Sequence, residues 1–406
     1  MLLCLFFAGF LVLTSSTTHT RFASCSATTN YDCGVQLGTA QASRIRAALA
    51  TQHGISLIHF ISTPVGISLY QDYLKLHEKT FGHLVQEVRG LARGSGVPFN
   101  HLMALNLEFE LMSKGNVTSY GYVKGCSDYH IVRDNKVNGW GHNEDGNQQD
   151  SDLFYFVAAN ISSPLSSPLD IPSTSSSYFS FTYAGRLSGW AWSYNTKGLI
   201  FTVNGLYVLP NTALGLGINF IARDLLDATS LTDVVVRGNR PDQDGGSHFN
   251  VGDITQKLQL SIETGYAGTT VQKIDGVTNS AVWYAHFNQY LHTDLPHSGD
   301  YISSMYRMAR ATTLATRKST EHQNLPFVLD VLGDQGGRTD NDVYCLHRCN
   351  NAADPYVTYV TVLIDLLTGV LKVYTNRTSG DNANRYWWKV DVAQHMLPTM
   401  LPNFPQ

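Results

Sequence analysis

Residues Lys124 to Tyr129 read Lys-Gly-Cys-Ser-Asp-Tyr, a cysteine directly after a glycine and far from every other cysteine. A cysteine nucleophile is ordinarily paired with a histidine and a third, orienting group. With fifteen histidines in the chain, a chance pairing is easy to propose and carries little information. Another arrangement needs no histidine. If the chain is cut immediately before Cys126, the α-amine that is freed titrates at about 7.7–8.0 and can take the thiol proton near neutral pH. Nucleophile and base are then one residue. Gly125, with no side chain, lets the backbone adopt the strained conformation in which the thiol attacks its own preceding carbonyl. An acyl shift to sulfur followed by hydrolysis would sever the chain there. The competing reading of Cys126 is a buried free thiol.

Cysteine arithmetic singles out Cys126 but does not decide between the two readings. Setting aside Cys4 in the apolar N-terminus leaves Cys25, Cys33, Cys126, Cys345 and Cys349. Cys25 with Cys33, and Cys345 with Cys349, are natural local pairs in an oxidising compartment, which leaves Cys126 over. Other chemistries lack their residues. There is no HExxH or CxxC zinc motif, no GxxxxGK[ST] phosphate loop and no GxSxG elbow, and the GxG in "GLGINF" stands alone. Cys345 and Cys349 flank His347, but a bridge is the better reading than a metal site. No cofactor and no metal are expected.

The setting is secretory. Leu2–Leu13 is an apolar run of signal-peptide length, followed by Thr14, Ser15 and Ser16, so residues 1–16 are read as a signal peptide although no Lys or Arg precedes the run. Sequons at Asn116, Asn160 and Asn376 fit that route, with an extracellular or lysosomal destination. No later segment has the roughly 20 apolar residues needed to span a bilayer. A net charge of -4 with no Lys/Arg run argues against nucleic acid as a partner.

The elements that must position Cys126 change character at that residue. From Ala40 to Leu111 the apolar spacing is helical, broken by Gly94, Gly96 and Pro98, with Asn100 able to cap a further helix. Beyond Tyr129, runs such as "DLFYFVAAN", "YFSFTYAG", "LIFTVNGLYV", "SAVWYAHF" and "YVTYVTVLID" are rich in β-branched and aromatic residues and predict strands. "NFIARDLLDATSLTDVVVRG" and "YISSMYRMARATTLAT" predict helices between them. Ser162–Ser177 and "GNRPDQDGGSHFNVGD" read as loops. The pattern is an α+β fold with a helical prologue, the change falling at Gly125–Cys126.

The motifs around Cys126 resemble a known family. "GLARGSGVPFNHLMALNLEFEL", "KGCSDYHI", "GWGHNEDG", "YAGRLSGWAWSYNTKGLIFTVNGL", "WYAHFNQYLH", "SSMYRMAR" and "YCLHRC … TYVTVLIDLLTGVLKVY" follow one another as in the isopenicillin N acyltransferase-like family of N-terminal nucleophile hydrolases. The resemblance runs from about Gly90 to Tyr374. It implies a four-layer αββα sandwich and cleavage between Gly125 and Cys126, so that residues 17–125 form one piece and residues 126–406 the other, both packing as one domain. It implies Cys126 as nucleophile, Asp145 helping to hold its amine, Asn288 stabilising the oxyanion and Asn204 as a second polar group of the pocket. Arg307 or Arg310 would orient the nucleophile or the substrate. Many members carry an aromatic beside the Asp; here the stretch is "NEDG", nearer the animal branch of β-alanyl-amine hydrolases. Glu144 would then contact a cationic amine of the substrate or be exposed, exposure being the slightly favoured reading. The implied activity is hydrolysis of small N-acyl amines through an acyl-enzyme, with the cleaved N-terminal piece as partner subunit. The alternatives are transfer of the acyl group to an amine, and an inactive secreted binding glycoprotein that keeps the fold.

Overall fold

The computed structural model describes residues 21–115, 125–133, 136–163, 171, 175–206, 208, 213–275, 282–296, 301–336, 344–348, 350–351, 354–375 and 388–392. The expected signal peptide, Asn116, Asn376 and Cys349 lie outside these residues. The chain opens with a strand, β1 (Phe22–Ala27), and seven helices: α1 (Asn30–Ala40), α2 (Ala42–Leu49), α3 (Gln52–Phe60), α4 (Pro64–Thr80), α5 (Gly82–Ser95), α6 (Phe99–Asn106) and α7 (Glu108–Gly115). Local chemistry sets their ends. The hydroxyls of Thr29, Thr51 and Thr63 accept from the backbone N–H three residues on, and Pro64 starts α4 where no intrahelical donor is needed. Gly96, at φ 70°, closes α5. Helices α1 and α5 pack backbone to backbone: a Cβ on Gly34 would lie 2.2 Å from the Glu87 carbonyl oxygen.

The rest of the chain supplies β2 (Gly125–Arg133), β3 (Val137–Asn147), β4 (Phe154–Ile161), β5 (Ser176–Tyr183), β6 (Trp192–Asn195), β7 (Leu199–Leu206), α8 (Ile218–Leu225), α9 (Leu231–Gly238), β8 (Gly246–Asp253), β9 (Leu258–Gly265), β10 (Gly268–Ile274), β11 (Trp283–His286), α10 (Tyr301–Thr316), α11 (Leu325–Leu332), β12 (Tyr356–Asp365), β13 (Val370–Tyr374) and β14 (Trp388–Asp391). One sheet has the order β1-β4-β5-β6-β7-β8-β9-β10, the other β11-β2-β3-β12-β13-β14. All pairings are antiparallel except β1 with β4. The sheets meet face to face at β2 and β7. Helix α1 covers the outer face of the first sheet, with α5 stacked on it, and α11 covers β2, β3 and β12 on the outer face of the second. This is the four-layer αββα arrangement.

Three readings change. A strand and a helix, β1 and α1, precede the expected helical start at Ala40. The segment read as one loop, "GNRPDQDGGSHFNVGD", ends in β8. Its setting hid it: the short alternation His248-Phe249-Asn250-Val251, with His248 and Asn250 buried against a polar layer between the sheets, sits in a stretch rich in Gly, Asp and Pro that reads as a loop. Strands β9 and β10 and helix α11 were also not anticipated.

The helical prologue is not a separate domain. Strand β1 is an edge of the first sheet, and one apolar core runs from Leu37, Leu84 and Leu105 to Phe156, Trp192 and Ile364. Buried polar contacts cross the same boundary: Arg223 bonds to Glu87, Arg186 to Glu108, and Asn106 to the backbone of Gly185 and Leu187. Cys25 and Cys33 form a disulfide between β1 and α1, as counting suggested. Cys345 is also disulfide-bonded. Asn160 is exposed on β4. No helix among the described residues is long and apolar enough to cross a membrane.

Candidate active site

Cys126 is the one free cysteine among the described residues, and only 1% of its surface is exposed. It lies at the second position of β2, with Gly125 before it in the same strand, so the chain is seen uncut. Strand geometry distributes its neighbours. Successive side chains point to opposite faces, and Cys126 pairs directly with Glu144, Asp128 with His142, and Gly125 with Asp145. The thiol, Asp128, His142 and Glu144 therefore face the other sheet. Ser127 and Asp145 face the α10–α11 layer.

On the inter-sheet face, the Cys126 thiol donates to Glu144 Oε2 at 3.5 Å. The same oxygen lies 3.2 Å from His142 Nε2, while His142 Nδ1 lies 2.8 Å from Asp128 Oδ2. Tyr183 donates its hydroxyl to Glu144 Oε1. Ionised carboxylates only accept, so an imidazole held between two of them carries both protons. Burial pulls the His142 pKa down, but Asp128 and Glu144 outweigh it and push it up to about 10. The opposite holds for the thiol. Burial first, then the charges of Glu144, Asp145 and Asp128, push Cys126 well above its ordinary value, against the pull of Arg307. Burial and the neighbouring carboxylates favour the thiol over the thiolate here. Cys126, His142 and Glu144 offer ligand atoms within 4.8 Å of one another.

The backbone of Cys126 is held from the other side. Its N–H donates to Asn288 Oδ1 at 3.1 Å, and its carbonyl accepts from Arg307 Nη1 at 2.5 Å. Arg307 also donates to Ser127 Oγ and, at 2.7 Å, to Asn288 Oδ1. Two donors on one atom identify it as the amide oxygen. Burial, reinforced by Arg348, lowers the Arg307 pKa to about 9.

The expected site residues divide accordingly. Arg307 and Asn288 meet Cys126, but the Asn288 amide nitrogen that would serve an oxyanion donates to the Gly205 carbonyl. Asp145 is beside Gly125, yet its carboxylate accepts from Arg348 and Thr358 rather than from the Cys126 nitrogen. Burial lifts it to about 7 despite Arg348 and Arg307. Asn204 stands one step behind the thiol, donating to Asp128 and accepting from His248. Arg310, one turn beyond Arg307, is paired with Asp334 at 2.8 Å. Glu144 is wholly buried, which corrects its reading as exposed: it is the direct cross-strand partner of a buried cysteine.

Sequence reasoning passed over Asp128, His142, Tyr183 and Arg348. The first two carry a signal: Cys126-x-Asp128 and His142-x-Glu144 have the period of one strand face. Arg348 carries none. Its guanidinium occupies the place of a Gly125 side chain, since a Cβ there would lie 2.6 Å from Arg348 Nη2. A narrow cleft opens beside the site between the prologue and the sheets. It is lined by Thr51, His53, Gly146, Asp150, Tyr183 and Tyr359 among others, and in the uncut chain it admits little more than a water molecule. Asp150 Oδ1 is buried there with no hydrogen-bond partner among the described residues.

Comparison with known proteins gives concordant matches. The family model described as acyl-coenzyme A:6-aminopenicillanic acid acyl-transferase matches residues 132–379, starting just beyond Cys126. The β-alanyl-dopamine/carcinine hydrolase of Drosophila melanogaster is 25% identical over 364 residues, 86% of this chain and 92% of that protein. Among solved structures, the Caenorhabditis elegans ortholog of N-acylethanolamine-hydrolyzing acid amidase aligns with a TM-score of 0.39 at 11% identity, over 60% of this chain and 93% of its own. A mutant conjugated bile acid hydrolase from Clostridium perfringens aligns with a TM-score of 0.39 at 12% identity, over 66% and 93%.

Proposed function

The chain belongs to the acyl-coenzyme A:6-aminopenicillanic acid acyl-transferase family, and we propose that it is a self-cleaving cysteine amidohydrolase acting on small N-acyl amines of the β-alanyl type. One observation carries the reading. The one free cysteine among the described residues follows Gly125 at the start of a strand, with its thiol, N–H and carbonyl each held by a different side chain.

Cutting between Gly125 and Cys126 converts the held N–H into an α-amine, still beside Asn288 Oδ1. That amine takes the thiol proton as sulfur attacks a substrate carbonyl, then hands it to the leaving amine. Asn288 and Arg307 keep the amine and the Cys126 backbone in place, and backbone N–H groups with a released Asn288 amide serve the oxyanion. Water frees the acyl group. The two pieces stay together as a heterodimer, supported by β1 in the sheet and by the buried Arg223–Glu87 and Arg186–Glu108 pairs. Entry to the secretory route is supported by the apolar N-terminus, the exposed Asn160 sequon and the Cys25–Cys33 disulfide.

The β-alanyl assignment rests on the hydrolase of Drosophila melanogaster, which the chain matches along most of its length. A β-alanyl group carries an ammonium. Asp150, with an unpartnered buried oxygen in a cleft walled by Tyr183 and Tyr359, supplies the matching charge and aromatic faces. The description of the family favours a second reading, passage of the acyl group from Cys126 to an amine.

The test begins with electrophoresis of the expressed protein. Two fragments are expected, the larger with Cys126 at its N-terminus, together with release of amine from N-β-alanyl-dopamine. Cys126→Ala should give one uncut band and no hydrolysis. A wild-type chain that stays whole would sink the proposal. A cut enzyme that forms new amides with an added amine but releases no free β-alanine would favour transfer.

A further inference from the structure

The proposed enzyme uses an α-amine as base, but that amine exists only after Gly125 and Cys126 have been separated. The first cut needs another base. Resting on the self-cleaving reading, we propose that Glu144 is the base of the self-cleavage step, taking the thiol proton while Cys126 attacks the carbonyl of Gly125.

The surroundings of the thiol eliminate the other bases. His142 is protonated on both nitrogens and can only donate. Asp128 accepts from Thr202 on one oxygen and from Asn204 and His142 on the other. Asp145 is on the opposite face of β3, held by Arg348 and Thr358. Among the described residues Glu144 is the carboxylate that the thiol touches, with Oε2 at 3.5 Å from Sγ. Its orientation is set by two donors, His142 onto Oε2 and Tyr183 onto Oε1. These two are positioning residues. Burial keeps the proton on sulfur until attack, so it must leave during bond formation, when a base already in contact is worth most.

The step balances. The S–H proton passes to Glu144 as the S–C bond to the Gly125 carbonyl carbon forms. The tetrahedral carbon expels the Cys126 nitrogen, and Glu144 returns the proton to that nitrogen. The products are a thioester between Gly125 and the Cys126 sulfur, and a free α-amine. Water then hydrolyses the thioester to the Gly125 carboxylate and the thiol. Glu144 ends as it began, with no net gain or loss of a proton, still bridged to His142.

The full chain made by cell-free synthesis, with the uncut band followed in time and across pH, tests this. Several titratable groups surround Glu144: Cys126 and Asp128 on β2, His142 on β3, Tyr183 on β5 and Tyr359 on β12, with Asp145 next to it in β3 but on the opposite face. The pH profile must therefore be assigned by substitution. The wild-type cleavage rate should fall on the acid side as the base is protonated. Glu144→Gln, which keeps size and a hydrogen bond to Tyr183, should cleave on the order of 100-fold slower or less, with that acid limb gone. Asp145→Asn should keep the limb. Glu144→Asp should be slower than wild type, faster than Glu144→Gln, and retain the limb, which also tests the assignment if Glu144→Gln does not fold. Glu144→Gln cleaving within threefold of wild type with the same limb would overturn the assignment alone, as would Glu144→Asp without the limb. A wild-type chain that never cleaves would overturn the self-cleaving reading and Glu144 with it.

Discussion

Two of the wholly buried charge clusters among the described residues are built to opposite ends. At Arg223, on α8, every guanidinium nitrogen is matched. Nε meets Glu87 at 3.2 Å, Nη1 meets Asp227 at 2.9 Å and Nη2 meets Ser176 Oγ at 3.1 Å, with Tyr178 beneath the plane. Burial alone would lower its pKa, but Glu87 and the other acidic neighbours raise it well above the ordinary value. Nothing there can leave. At Cys126 three carboxylates, two arginines and an imidazolium are equally buried, yet one hydrogen-bonded partner is a thiol. A thiol is a weak donor and a strong nucleophile once its proton goes. The same dry surroundings that lock Arg223 raise the thiol's pKa and make its proton depend on one neighbour. Whether buried charge holds or reacts is decided by whether a member of the cluster can give up its bond.

The comparison can be broken at its structural end first. Arg223→Ala leaves Glu87 and Asp227 buried without their cation, and unfolding free energy should fall by about 3–5 kcal/mol. The cleavage rate of the molecules that fold should be unchanged. Denaturant titration and the cleavage time course separate the two. At the reactive end, Gly125→Ala pushes a methyl into Arg348, which is pinned by Asp145 and Asp354. Cleavage should slow by about 100-fold, or about 2.7 kcal/mol in the barrier, with the thermal midpoint little changed. A Gly125→Ala chain that cuts at the wild-type rate would show that the fit against Arg348 plays no part.

A third effect distinguishes the clusters by pH. The folded pKa of His142 is raised to about 10, above the unfolded value of about 6.5. Its contribution to stability is fully present below about pH 6.5 and lost as pH rises through 10. The slope is at most about 1.4 kcal/mol per pH unit between those limits. Denaturation midpoints measured from pH 6 to 10 should fall, and His142→Gln should flatten that trend. The smallest effect belongs to the cleft. Asp150→Asn should raise KM for a β-alanyl amine about tenfold while kcat changes little, and should not do so for an uncharged acyl amide. Equal effects on both substrates would remove Asp150 from recognition of the ammonium.

Parts of the site were legible because they are local. The Gly125–Cys126 junction, the leftover thiol, the Cys25–Cys33 pair and the change from helical to strand periodicity can each be read within a few residues. His142 and Asp128 were legible only in principle. Their two-residue spacing from Glu144 and Cys126 marks a shared face, but fifteen histidines concealed it. Strand β8 was hidden because its four-residue alternation, His248 to Val251, is embedded in a Gly- and Asp-rich run whose composition reads as a loop. Arg348 had no signal at all, since its partner Asp145 is two hundred residues away in sequence and beside it in space.

The sequence by itself determined where the proposed self-cleavage would fall, which cysteine is left over by pairing, and that helices precede most of the strands. Only the tertiary structure decided that Glu144 is buried against the thiol, that Asp145 is turned away from it, and that Arg307 rather than Arg310 reaches Cys126. Adjacent strand residues necessarily face opposite ways, and helix positions three apart differ by about 60° around the axis. Which of those faces meets the second sheet or the nucleophile depends on what packs against them, and that is a property of the assembled layers.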